Sequence, residues 1–82
     1  METETATGTV QTLDCQGLLC PLPIIKLSKA IKGIAVGDSI AMLATDPGSV
    51  PDMEAYEKQT GHKIVQRSQE GAVYRFVIKR TK

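Results

Sequence analysis

The sequence has few of the residues from which large cores and metal sites are built. It contains no tryptophan, one phenylalanine, one histidine and two cysteines in 82 residues. A chain of this length buries roughly 60% of its unfolded surface, which is enough for one core and one shallow site. Structural zinc takes four ligands, usually cysteine and histidine. We therefore expect neither a metal site nor an enclosed catalytic cleft.

Long apolar runs and a strong net charge are also missing. No stretch approaches the roughly 18 apolar residues that cross a bilayer, and residues 1–8 lack the basic and apolar regions of a secretory signal. The net charge is only +1, whereas nucleic-acid-binding domains are usually basic. These absences predict a cytoplasmic protein without membrane or direct nucleic-acid partners. Small size and the lack of an obvious apolar patch favour a monomer.

What the chain does contain is an alternation of strand and helix patterns. Apolar residues at positions 24, 27, 31 and 34 have helical spacing. A Ser49-x-x-Asp52 pattern resembles a capping box at the start of a second helix, and residues 69–71 mark a hairpin. The predicted strands span residues 9–13, 39–45, 62–68 and 72–80, and the predicted helices run from about 21–23 to 33 and from 49 to about 59.

The order β-α-β-α-β-β fixes the expected architecture. Two helices can cover only one face of a four-stranded sheet, so we predict a two-layer α/β (α+β) sandwich with a mixed sheet. Residues 1–8 are expected to form a flexible tail, and residues 9–80 a single domain.

Cys20 begins a Cys-Pro-Leu-Pro segment at the predicted start of the first helix. Free backbone N–H groups and the helix dipole favour a thiolate at such a position, which predicts a lowered pKa and a nucleophilic role. Pro21 and Pro23 supply no N–H groups, which weakens this effect, but they fix the path of the chain. The competing interpretation is a buried small side chain, since cysteine is among the most buried residue types.

The other polar candidates are open to several interpretations. Cys15 is a resolving thiol, half of a disulfide with Cys20 or a packed side chain, and its C-x4-C spacing differs from redox C-x-x-C motifs. The packed interpretation is slightly favoured. Lys26, Lys29 and Lys32 form a basic stripe, either a solvated face or an electrostatic handle for an acidic partner. A lone His62 is more often a surface or turn residue than a base.

The segment around Cys20 resembles the signature of a known family. Leu13–Lys26, LDCQGLLCPLPIIK, is similar to the TusA (SirA-like) sulfur-carrier proteins in its Leu-Asp, Gly-Leu and Cys-Pro-x-Pro elements. The resemblance covers about residues 9–80. Its further matches are Lys29-Ala30, Gly37-Asp38, Ala44–Pro47, Asp52, Gly61-His62 and Val73–Phe76.

The resemblance implies a cytoplasmic carrier that holds sulfur as a persulfide on Cys20, without a cofactor. A rhodanese, cysteine desulfurase or DsrE-like donor would load it, and an acceptor protein would take the sulfur for oxidation, thiosulfate handling, or tRNA or cofactor thiolation. It would be a sulfurtransferase-type carrier rather than a stand-alone enzyme. The implied supporting residues are Gly17, Pro21, Pro23 and, as a possible second thiol, Cys15; the expected docking residues are Lys26, Lys29 and Asp52.

The chain departs from the family pattern near the second helix. Pro51 precedes Asp52 where many members have arginine, and Glu57 follows Tyr56 where some have cysteine. Both changes weaken an assignment to tRNA thiolation. A second thiol at Cys15 resembles carriers that work beside DsrE-like or rhodanese-like proteins. Two alternatives stay open, a Cys15–Cys20 thiol–disulfide switch and a non-catalytic regulatory module.

Overall fold

Strands and helices alternate in the order that the sequence predicts. The computed structural model describes residues 10–82. The predicted α+β architecture, with a mixed four-stranded sheet and two helices, is confirmed. The tail predicted over residues 1–8, and Thr9 at the start of the first predicted strand, lie outside the described residues. The elements are β1 (Val10–Cys15), α1 (Leu22–Ile31), β2 (Ser39–Ala44), α2 (Ser49–Thr60), β3 (Lys63–Glu70) and β4 (Val73–Lys79).

The sheet has the strand order β1-β2-β4-β3. β1 and β2 are parallel, with Cys15 opposite Ala44, and the other two pairings are antiparallel. The carboxyl ends of β1 and β2 therefore lie side by side at one edge of the sheet. The two loops that leave this edge lead into α1 and α2, so both helices begin close to each other.

The main core lies between the sheet and the two helices. On α1 the buried side chains are Pro23, Leu27 and Ile31, which are four residues apart and so share a face. The sequence placed Ile24 on this face, but Ile24 is only half-buried because Pro23 occupies the inward position. The other core side chains include Ile34, Ile40, Met42, Met53, Tyr56, Phe76 and Ile78.

The apolar run of β2 is covered on both faces, as its composition predicts. Ala41 and Val77 face each other across β2 and β4, and both are buried. Their neighbours Met42 and Phe76 belong to the core under the helices, so Ala41 and Val77 point to the opposite face.

The sequence predicts the C-terminal end of α2 correctly but not the structure of its N-terminal end. Gly61 adopts φ +82° after the last helical residue, a conformation that glycine accepts readily, and it ends the helix as predicted. The prediction of a capping box at the start of α2 is wrong. Ser49 is the first helical residue rather than the N-cap. Among residues 10–82, its buried hydroxyl has no hydrogen-bond partner and no side chain caps the helix. Asp52 instead contacts Cys20.

Candidate functional site

Two loops meet where β1 and β2 end. The N–H of Gly17 donates to Thr45 Oγ1 at 2.9 Å, and the N–H of Cys20 donates to Asp46 Oδ2 at 2.8 Å. Gly17 has φ +82°, which side chains rarely tolerate and which lets the first loop turn sharply. Because Thr45 and Asp46 directly follow β2, these bonds fix the backbone of Cys20 to the adjacent strand.

The thiol of Cys20 lies in the open at the start of α1 and faces the first turn of α2. Cys20 is exposed, and its Sγ–H donates a hydrogen bond to Asp52 Oδ2. Gly48 passes close behind it: a Cβ on this glycine would lie 3.5 Å from the Cys20 Cβ and 3.3 Å from Asp46 Oδ2. The sulfur is therefore accessible, with its backbone held by the loop after β2 and its thiol bonded to the first turn of α2.

The electrostatic environment of Cys20 reverses the expectation from the sequence. The hydrogen bond to Asp52 raises the pKa of the thiol, and desolvation and the charges of Asp52 and Asp46 act in the same direction. The predicted lowering by the helix N-terminus is wrong. Pro21 and Pro23 have no N–H, and the N–H of Leu22 donates to the Leu19 carbonyl at 2.8 Å. Few backbone donors are left to offset two carboxylates.

Cys15 occupies a different environment at the last position of β1. It is 0% exposed and belongs to the core, and both cysteines are free thiols. Burial raises the pKa of the Cys15 thiol, while the positive charge of Lys26 acts against this effect. The sequence placed Cys15 in the loop, whereas β1 continues through it. Its position fits a packed side chain better than a reactive thiol.

The remaining predicted site residues are two prolines at the start of α1 and two lysines further along the same helix. Pro21 is exposed and, with Asp52, lines a shallow cavity of about 210 Å³ between the helices, whereas Pro23 is buried in the core. Lys26 and Lys29 are exposed on α1. The side chain that contacts the Cys20 sulfur is the carboxylate of Asp52, and neither lysine takes part in that contact.

Asp46 is the residue of the site that sequence reasoning left out. It belongs to a matched Ala-Thr-Asp-Pro segment, but nothing local to it indicates a contact with Cys20, 26 residues earlier. The signal that could have found it is topological: polar residues that follow two adjacent parallel strands meet at one edge. His62 also departs from what the sequence predicts, which is a surface or turn residue. It is buried rather than exposed, and its Nδ1 accepts the N–H of Thr81 at 3.1 Å.

Metal-binding clusters and membrane-spanning helices are both missing from the part of the chain that the structure describes. Over residues 10–82, no group of three or more histidine, cysteine, aspartate or glutamate side chains could hold a metal ion. In the same range, no helix is long and apolar enough to cross a membrane.

Fold and site together define a small α+β protein that presents one exposed thiol where two parallel strands end. The family model described as "Sulfurtransferase TusA" matches residues 11–80, and the chain belongs to this family. The sulfur carrier protein TusA of Allochromatium vinosum is 42% identical over 71 residues, which cover 87% of this chain and 93% of that protein. A relative from Neisseria meningitidis serogroup A is 43% identical over 68 residues, covering 83% and 92%.

A solved structure supports the fold independently of close sequence similarity. The SirA-like protein of Desulfitobacterium hafniense superposes with a TM-score of 0.75 at 20% identity, covering 89% of this chain and 99% of that one. The family assignment predicted from the Cys-Pro-x-Pro segment and its downstream matches is thereby confirmed.

Proposed function

We propose that this protein is a sulfur carrier that holds sulfane sulfur as a persulfide on Cys20 and passes it to an acceptor protein. The observation that carries the proposal is the position of the thiol: it is exposed, its residue is bonded to the loop after β2 and to the first turn of α2, and it lies beside only a shallow cavity. A carrier needs an accessible nucleophile more than a substrate pocket. The carrier name of the Allochromatium relative supports the same function.

The transfer that this site would perform needs no external oxidant or reductant. The Cys20 sulfur attacks the terminal sulfur of a donor persulfide, R–S–SH, and a new S–S bond forms. The donor S–S bond breaks, its electron pair leaves on the donor sulfur, and the proton lost by Cys20 balances that charge. The products are Cys20–S–SH and R–SH. Attack by an acceptor thiol or other nucleophile on the terminal sulfur then discharges the carrier by the same chemistry.

The shallow site implies that partner proteins supply the rest of the reaction environment. We propose a donor of the rhodanese, desulfurase or DsrE-like class and a separate acceptor, in a relay for sulfur oxidation, thiosulfate handling or thiolation. Chemistry through a persulfide on the chain itself requires no cofactor. The cytoplasm is the proposed compartment, because its reducing environment keeps such thiols free.

The test of this function is sulfur loading followed by mass spectrometry. Reduced protein is incubated with polysulfide or a persulfide-loaded rhodanese, and intact and peptide masses are measured. We expect a gain of one sulfur at Cys20 that reductant removes. Cys20→Ser should not load, whereas Cys15→Ser should load as the unmodified chain does. Full loading of Cys20→Ser, or no loading of either cysteine in the native chain, would refute the proposal.

The disulfide-switch alternative receives less support from the structure. It requires Cys15 to react, but Cys15 is packed in the core while Cys20 is exposed. A count of free thiols after mild oxidation separates the two hypotheses, since an intramolecular bridge removes both thiols together.

A further inference from the structure

Two carboxylates face the reactive thiol from separate parts of the fold. Asp46, in the loop after β2, accepts the backbone N–H of Cys20, and Asp52, in the first turn of α2, accepts the thiol proton. Both side chains are half-buried rather than fully solvated. Over residues 10–82 the ion pair in the structure joins Arg67 to Glu54, and no lysine or arginine of that range lies within ion-pair distance of Asp46 or Asp52.

This arrangement makes the approach to Cys20 sensitive to charge. An anionic group brought to the sulfur meets two like charges, whereas a cationic group is attracted to both. The same carboxylates oppose ionisation of the thiol, which must occur before the sulfur attacks. A positive charge that pairs with Asp52 would relieve this opposition, because it would weaken the hydrogen bond that holds the thiol proton. Attraction and activation would thus favour the same kind of partner.

The surface beside the thiol would strengthen such pairing once it is covered. Leu19 is 70% exposed, and Leu22 and Ile25, which share a face of α1, are 46% and 45% exposed. Leu19 and Leu22 flank Cys20 in the chain, so a partner that covers them to reach the Cys20 sulfur would also exclude water from that sulfur and from the Asp52 carboxylate hydrogen-bonded to it. Because charges interact more strongly in a lower effective dielectric, the attraction of Asp52 for a cation would increase on docking.

We propose that Asp46 and Asp52 make Cys20 selective for partners that present a positively charged group beside their own reactive sulfur. Asp52 is the positioning residue of the pair, since it holds the thiol proton until a cation from the partner takes its carboxylate. This inference rests on the proposed function only in naming the partner as one that exchanges sulfur. The charge preference itself is a property of the thiol.

The test uses three small disulfides of similar size and different charge. Cystamine is cationic, 2-hydroxyethyl disulfide is neutral and 3,3′-dithiodipropionate is anionic. In each case the Cys20 sulfur attacks one probe sulfur, a mixed disulfide forms, the probe S–S bond breaks and half of the probe leaves as a thiolate. Rates at Cys20 are followed by peptide mass spectrometry. Each is divided by the rate of the same probe with 3-mercapto-1,2-propanediol, a neutral thiol that differs from all three probes, which removes the intrinsic reactivity of the probes.

We expect the normalised rate with cystamine to exceed that with dithiodipropionate by about tenfold at low ionic strength. The ratio should fall toward one at about 0.5 M salt, where the Debye length is only a few ångströms. Asp52→Asn should lower the ratio and raise the rate with the neutral probe, and the Asp46→Asn/Asp52→Asn double variant should lower the ratio further. Glu54→Gln, on the same helix but paired with Arg67, is the matched control and should leave the ratio unchanged.

The outcomes separate charge selectivity from a purely structural role. A variant that merely loosens the loop would change all three rates alike and leave the ratio intact. A ratio near one in the native chain, or one that the double variant does not change, would overturn the inference. Persulfide loading of Cys20 is measured separately. Loading without charge selectivity would refute this inference alone, and selectivity without loading would refute the carrier function alone.

Discussion

The two cysteines lie five residues apart in the chain, yet the fold gives them opposite environments. Cys15 ends β1 opposite Ala44 and is 0% exposed, whereas Cys20 is exposed immediately before α1. Between them the chain leaves the sheet through a turn at Gly17, whose N–H is bonded to Thr45. The comparison teaches that reactivity here depends on where the loop departs from the sheet, since both residues carry the same functional group.

The pKa values of the two thiols shift in the same direction for different reasons. Burial raises the pKa of Cys15, while the hydrogen bond and charge of Asp52 raise the pKa of Cys20. Neither environment stabilises a thiolate. The two residues therefore differ in accessibility, whereas the direction of their pKa shifts is the same, and a change in the charges around Cys20 can alter one thiol without the other.

The largest expected difference between the cysteines is in their rates of alkylation. We expect iodoacetamide to modify Cys20 at least about 100-fold faster than Cys15, because Cys15 must wait for an opening of the core. Timed quenching followed by peptide mass spectrometry measures both rates in one sample. In denaturant the two rates should approach each other. Comparable rates in the native protein would contradict the placement of Cys15 in the core.

Serine substitution should affect stability in the opposite order to alkylation: the change at Cys15 should matter more than the change at Cys20. Cys15→Ser buries a hydroxyl in place of a thiol, and we expect the free energy of unfolding to fall by about 1–3 kcal/mol. Cys20→Ser changes an exposed side chain and should stay within about 0.5 kcal/mol of the native value. Urea titrations followed by circular dichroism measure both. An equal loss at the two positions would show that the Cys20 contact with Asp52 contributes more to folding than its exposure indicates.

The pH dependence of alkylation should respond to Asp52 at one cysteine only. Asp52→Asn removes the main cause of the raised pKa, so the alkylation rate of Cys20 at pH 7 should rise about three- to tenfold. Cys15, whose pKa is raised mainly by burial, should keep its profile. Glu54→Gln serves as the control on the same helix. A Cys20 profile that does not move would mean that the carboxylate does not govern the thiol.

The same shifts predict how stability changes at alkaline pH. Both thiols bind their proton more tightly in the folded chain than in the unfolded one. Their contribution to stability is therefore present below the unfolded pKa and is lost as the pH rises through the raised folded values. Urea midpoints should fall on the alkaline side, and less steeply in Asp52→Asn. A midpoint that rises there would contradict both assignments.

The position of the reactive thiol could be predicted from sequence, but its chemical environment could not. The Cys-Pro-Leu-Pro segment places Cys20 correctly at the start of α1. The direction of its pKa shift was predicted wrongly because the decisive groups, Asp46 and Asp52, are 26 and 32 residues away. Local patterns describe one element at a time, and this site depends on contacts between two loops.

Asp52 shows the same difficulty within a single helix. Its spacing from Ser49 fits a capping box, and local hydrogen bonding is what that pattern predicts. In the folded chain Ser49 is already helical and buried, so its hydroxyl does not cap, and the carboxylate of Asp52 turns to the neighbouring loop. Periodicity was more dependable: of the four side chains it placed under the sheet, Leu27, Ile31 and Ile34 are buried and Ile24 is half-buried.

The smallest expected effect concerns the bond that ties the first loop to β2. Thr45→Val removes the hydroxyl that accepts the Gly17 N–H, but this bond is exposed and water can replace the acceptor, so the cost should be about 0.5–1 kcal/mol. Because Asp46 still holds the N–H of Cys20, alkylation of Cys20 should change by no more than about twofold. Thr45→Ser, which keeps the hydroxyl, is the control for both measurements. A change of tenfold or more at Cys20 would show that the turn at Gly17, rather than Asp46, fixes the thiol. The boundary between the buried and the reactive cysteine would then depend on that turn.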